Sequence, residues 1–223
     1  GYALKQFNST KNSMTVKGLA EKPIKADLAR WEVNLQTSHA SDSIPEAYQL
    51  LDQQMKILQQ FFIEHGFQTA EIQLGNKSSQ SYYEDVDNGE GRNIRTFKGY
   101  IAMQALVINS RDIKKIEKAA KDAYLLDEKG IGIEQTPQYL VSNLEEIKMS
   151  LIANATKNAY SRANEFAKVG GVNVGAMRSA SQGAFYILPE SGSDEDSDYG
   201  GAYDKETINK IARVVVTINY AIE

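Results

Sequence analysis

The sequence predicts an α+β fold of two helix-plus-antiparallel-hairpin units, with long helices packed on antiparallel sheets, and three patterns carry that prediction. Ala29, Trp31, Val33, Leu35 and Thr37 alternate with polar neighbours, and so do Val214, Val216, Ile218, Tyr220 and Ile222; this period of two marks strands with one buried face. Two long stretches instead carry apolar residues at steps of three or four, the spacing of amphipathic helices. After each helix come glycine, a strand, a polar loop and an alternating strand, once over 43–109 and again over 142–222. Strands joined by hairpins favour antiparallel sheets over a doubly wound parallel one.

Element by element, "MTVKGLA" reads as a short first strand and Ala29 to Thr37 as the second. Ser43 and Glu46 have capping-box spacing ahead of a helix striped by Ile44, Ala47, Leu51, Met55, Leu58 and Phe62 and ended by Gly66. "TAEIQLGNKSSQSYY" and "RTFKGYIAMQALVIN" pair as strands, the second alternating Ile101, Met103, Ala105 and Val107, with "EDVDNGEGRN" as a turn-rich loop between them. A short helix follows from about Arg111 to Tyr124, striped by Ile113, Ile116, Ala120 and Ala123, and "GIGIEQTPQYL" reads as a strand.

A long helix spans about Asn143 to Val169, with Ser142 and Glu145 as a second capping box and Gly170 and Gly171 as its end. Its stripe is small, with Ala155, Ala159, Ala163 and Ala167 recurring every four residues, which lets the helix backbone approach a neighbour closely. "VNVGAMRSASQ" then leads through an acidic stretch into "INKIARVVVTINYAI". The expected organisation is an N-terminal tail over 1–13 followed by two α+β units, about 14–109 and 110–223.

Composition narrows the function classes. At 223 residues, net charge −4 and 42% hydrophobic residues, the chain is long enough for one large domain or two small ones. Lys and Arg are scattered singly, so no basic stripe offers to displace counterions from a phosphate backbone, and no nucleic-acid partner is expected. With no cysteine, disulfides, thiolate nucleophiles and Cys-based zinc sites are excluded together. No apolar run approaches the roughly 20 residues of a spanning helix. The chain begins "GYALKQFNSTKNS" without methionine, and the expectation is that a signal or membrane anchor preceded it.

Catalytic patterns fail in turn. The imidazoles are His39 and His65, neither of them in a nucleophile motif, and no G-x-S-x-G occurs. The two also lack metal-ligand spacing, and nothing in the sequence selects a carboxylate pair for hydrolysis. "GGVNVG" follows a helix, whereas a dinucleotide fingerprint follows a strand and opens a helix, so these glycines read as a helix end.

In "ESGSDEDSDYGGAYD" a calcium loop counted from Asp194 places Asp196 and Asp198 correctly, but sets Tyr199 at the turn position that needs glycine and Lys205 where glutamate is required. Counted from Asp85, the first loop sets Gly89 at a position needing a side-chain oxygen. Both read as hydrated hairpin connections, the acidic one exposed, mobile and at most millimolar in calcium affinity. Tyr82, Tyr83, Tyr186, Tyr199 and Tyr203 cluster near these loops and fit either an interface or ordinary packing. No catalytic, cofactor-binding or metal residue is assigned.

Several landmarks together carry a family pattern. They are "VxGxA" then "DxA" (Val16, Gly18, Ala20, Asp27, Ala29), a glycine-to-isoleucine step (Gly66, Ile72), and "A-x3-A-x2-RA-x3-A-x2-G" (Ala155, Ala159, Arg162, Ala163, Ala167, Gly170) followed by Gly175. In this order, over nearly all of residues 14 to 222, the chain resembles the SIMPL domain (DUF541) family of bacterial envelope proteins. That resemblance implies an exported, periplasmic α+β protein that forms homo-oligomers, linked to envelope or oxidative stress and without an established reaction. The expected function is therefore non-enzymatic, with the chain itself as partner. A carboxylate- or ion-dependent hydrolase and a protein-binding signalling adaptor stand as alternatives.

Overall fold

In the computed structural model, which describes residues 12–191 and 202–223, the first strand finds its partner at the far end of the chain. β1 (Ser13–Lys25) pairs antiparallel with β8 (Asn209–Ile222), setting Val16 against Ile218 and Ala20 against Val214. β7 (Val174–Pro189) covers the other edge of β8, giving the order β1-β8-β7. One helix, Leu144–Gly170, packs on this sheet. Val214, Val216, Ile218 and Tyr220 are all buried, as the alternation predicts, together with Ile147, Leu151 and the alanines 155, 159 and 163.

The remaining strands form a second sheet, of order β3-β5-β2-β6. Its members are β2 (Leu28–Gln36), β3 (Ile72–Leu74), β5 (Asn93–Ser110) and β6 (Gln138–Leu140), while β4 (Ser78–Asp87) pairs with the distal part of β5. Helix α1 (Ile44–Glu64) packs on β5 and β2. It starts as its capping residue predicts, with the Ser43 hydroxyl oxygen accepting from the Glu46 backbone N–H at 3.2 Å. Trp31 of β2 meets Phe62 of α1 edge to face at 5.3 Å between ring centroids. A short helix α2 (Ile113–Asp122) adds Ile116 and Ala119 to this core. The long helix on the other sheet is α3.

Two compact units result: Asp27–Leu140, and the chain up to Ala26 together with Val141–Glu223. The contiguous halves 14–109 and 110–223 are thus not the units, because β1 belongs with β8 and because β6, which follows α2, pairs with β2. The repeated plan survives in another form. Each unit contains a strand, a helix and a hairpin in that order, and in each the opening strand pairs with the second strand of the hairpin, β1 with β8 and β2 with β5, after which Asp27–Leu140 adds α2 and β6.

Three local expectations need correction. "GIGIEQTPQYL" is a strand only over Gln138–Leu140, because Pro137 has no N–H to give a ladder. The edge of β2 is served instead by one residue, Gln135, whose carbonyl accepts from the Trp31 indole N–H and whose side-chain oxygen accepts from the Asn34 N–H, each at 3.0 Å. The N-cap of α3 is Asn143, one residue after Ser142, and no bond from the Asn143 side chain closes it. Finally, "EDVDNGEGRN" is mostly ladder: β4 runs through Asp87 and β5 resumes at Asn93, leaving a loop of Asn88 to Arg92. Most of the acidic stretch, residues 192–201, lies outside the described residues, and with it the calcium-loop question and Tyr199.

Candidate functional site

Titratable groups come first, since chemistry would need them. His39 is exposed, 3.3 Å from its neighbour's carbonyl oxygen. His65 closes α1, with Nδ1 at 2.8 Å from the Phe61 carbonyl oxygen and Nε2 at 2.8 Å from Asp122 Oδ2, so it ties the last turn of α1 to the end of α2. Both partners are acceptors, so whichever ring nitrogen carries a hydrogen can donate to the partner it faces. The hydrogen bond from His65 holds the Asp122 carboxyl below its ordinary pKa, against the cost of desolvation and with help from Lys118. The sign is that of a depressed acid: its stabilisation is present above the unfolded-state value and is lost as pH falls through the folded one. Asp122→Asn should accordingly lower the thermal midpoint at neutral pH, with the gap to wild type closing below about pH 4; a gap independent of pH would contradict this.

Among the described residues no catalytic set assembles around either histidine, and no three of His, Asp and Glu converge on a point that could hold a metal. The unit containing Asp27–Leu140 has a concavity of about 510 Å³, lined by Asn34, Gln36, Asn76, Ser78, Gln104 and Glu134 among others. One carboxylate among amides and hydroxyls gives it neither an acid–base pair nor a nucleophile with a base.

Gly18 and the α3 alanines of the family pattern are packing residues. Gly18 lies beneath α3, where an added Cβ would collide with the Ala155 carbonyl oxygen and sit 2.8 Å from Ala159 Cβ. Beside it, the Leu19 N–H donates to Asn158 Oδ1 at 2.9 Å and Arg162 Nη1 donates to the Lys17 carbonyl at 3.0 Å. Side chains of α3 therefore occupy backbone groups on the outer edge of β1, where Pro23 adds a position with no N–H. "VxGxA" and the alanine motif, far apart in sequence, are two sides of one contact.

What stands out on the surface is the distal β4–β5 ribbon. It leaves the sheet at a register shift between Tyr82 and Tyr83, opposite Gly99, whose φ of 121° and tight approach to the Ser41 carbonyl oxygen only glycine tolerates. Beyond that point β5 keeps β4 as its partner, and the ribbon extends over Tyr83–Asp87 and Asn93–Phe97, about 17 Å of two-stranded arm at 3.4 Å per residue. Tyr83 stands opposite Phe97, with ring centroids 5.7 Å apart, and the Arg95 guanidinium lies 4.3 Å from the Tyr83 ring centre. Val86 stands opposite Ile94 on the other face. All four apolar side chains are exposed, Ile94 at 52% and Phe97 at 49%. The sequence signal was there, in Tyr83 and Val86 spaced across two faces, but Asp85, Asp87 and Asn88 made the segment read as loop. Of the other clustered tyrosines, Tyr203 is structural: its hydroxyl oxygen accepts from the Val141 N–H at 3.2 Å.

Comparison with known proteins gives a family and no reaction. No curated protein matches the chain. Among solved structures, the chain is similar to one described as an uncharacterized conserved protein from Listeria innocua, at 12% identity and a TM-score of 0.20, covering 88% of this chain and 91% of that one. Among the described residues no helix is long and apolar enough to cross a membrane. The sequence profile of the SIMPL family, a protein of unknown function (DUF541), matches residues 14–218, and the chain belongs to that family.

Proposed function

We propose that this protein is a non-enzymatic, exported component of the bacterial envelope whose working form is a homo-oligomer, with the stress-linked role that its family resemblance implies. The observation that carries the reading is the β4–β5 arm. A two-stranded ribbon that has no third strand or helix beneath it is marginally stable in water, and this one, bare in that way among the described residues, exposes Tyr83, Val86, Ile94 and Phe97. A partner surface that buries them removes both problems. Size-exclusion chromatography with light scattering tests the proposal: the expected mass is a multiple of the 24.8 kDa chain, and a strict monomer at high concentration would overturn it.

A further inference from the structure

We propose that the concavity of the Asp27–Leu140 unit is a carbohydrate site, taking an uncharged sugar chain across the outer face of its sheet. Alternation puts Asn34 and Gln36 of β2 on the face opposite buried Val33 and Leu35. The register sets them beside Ala105 and Met103 of β5, both half-buried, and Ser78 of β4 flanks Met103 from the other side. Asn76, just before β4, and Glu134, from the segment leading to β6, complete the rim. The floor is thus apolar down the middle, with amides and a hydroxyl on its flanks.

A sugar ring presents C–H groups on its faces and hydroxyls around its rim, and a planar amide offers those hydroxyls a donor and an acceptor side by side. The volume, about 510 Å³, is that of a small-molecule site. No cation lines it to hold a phosphate or carboxylate, and no aromatic ring lines it to stack a base. A peptide cannot add to β2 as a strand here, because the Asn34 N–H already donates to Gln135 Oε1 at 3.0 Å. The hydrogen-bonding groups are free: among the described residues the side chains of Asn34, Gln36, Asn76 and Glu134 have no protein partner. Gln104, only 7% exposed, lines the same space; its Nε2 donates to the Gly75 carbonyl oxygen at 2.9 Å, and its Oε1 has no protein partner. A second concavity of about 190 Å³ shares Asn34 and Gln135 and continues to Thr136, Gln138 and the Arg30–Glu32 pair. From Gln36 to Arg30 the surface runs about 20 Å at 3.4 Å per residue, room for a chain of sugars rather than one.

Titration of the whole chain with neutral oligosaccharides of glucose, galactose and N-acetylglucosamine, followed by calorimetry and by amide chemical shifts, tests this. At least one series should bind saturably, more tightly as its chain lengthens, and should move the signals of Asn34, Gln36, Met103 and Ala105. Asn34→Ala with Gln36→Ala removes two exposed side chains that hold nothing in the fold, so the melt should stay as in wild type while binding weakens about tenfold or more, the value of two hydrogen bonds. No saturable binding by any series, binding that the double variant leaves intact, or shifts confined to other residues would overturn the site. Competition by a polyuronic acid as strong as that of the neutral chains would overturn the assignment to uncharged sugars. None of these outcomes depends on whether copies assemble, so the site and the homo-oligomer stand or fall separately.

Discussion

Lys210→Met destabilises the β1-β8-β7 unit by about 3–5 kcal/mol in denaturant titration, because it breaks a buried ion pair from one side. Lys210 is enclosed within the protein, and its Nζ donates to the Asp204 carbonyl oxygen and to Asp204 Oδ2, each at 2.7 Å. The Thr207 hydroxyl and N–H also donate to that carboxylate. Burial pushes the Asp204 pKa up, but the bonds from Lys210 and Thr207 outweigh it and hold the group below the ordinary carboxylate range. Without the ammonium, burial acts on the carboxylate with less to oppose it. The stabilisation in wild type is therefore present above the unfolded-state pKa and lost as pH falls through the folded one, so the deficit of the variant shrinks in acid. Adding Asp204→Asn to Lys210→Met should recover much of the loss. A single-variant deficit below about 1 kcal/mol would place the pair among exposed ones.

Gly18→Val should cost about 3 kcal/mol or more, at the upper end of overpacking, because the first obstacle its Cβ meets is backbone. A flexible side chain could swing away; the Ala155 carbonyl oxygen cannot move without displacing α3 from β1. That displacement would also break the bonds from Leu19 to Asn158 and from Arg162 to Lys17. Thermal melts check it, and Asn158→Ala, which removes one bond without adding volume, should cost only about 1 kcal/mol. Equal losses in the two variants would mean that the contact is loose.

The same contact explains what could be read without coordinates. Periodicity located the strands holding Trp31 and Val216 and both long helices, since burial on one face is written directly into residue spacing. The alanine stripe announced close approach but not its target. Gly18 is the complement, and pairing of residues so distant is invisible to any local window. Boundaries failed where two signals competed: Ser142 and Asn143 both stand three residues before a glutamate, and the helix took the second. The arm failed for a different reason. Asp85, Asp87 and Asn93 disfavour strands by propensity, yet cross-strand pairs such as Asp85 with Arg95 and Val86 with Ile94 hold them in register. Nothing catalytic was assigned from the sequence, and the geometry around His65 and Asp122 is that of a brace between two helices.

The pairing of β1 with β8 sets an order of events during folding. Asp27–Leu140 is one uninterrupted segment and can fold on local contacts, whereas the other unit cannot form until β8 reaches β1. Until then Ser13–Lys25 has no ladder, and the groove that will receive Gly18 has only one wall. Closing a loop of nearly the whole chain is slow compared with folding of the inner segment. A refolding chain thus carries a finished inner body between β1 and β8, and the meeting of these two strands is the step that completes the outer unit.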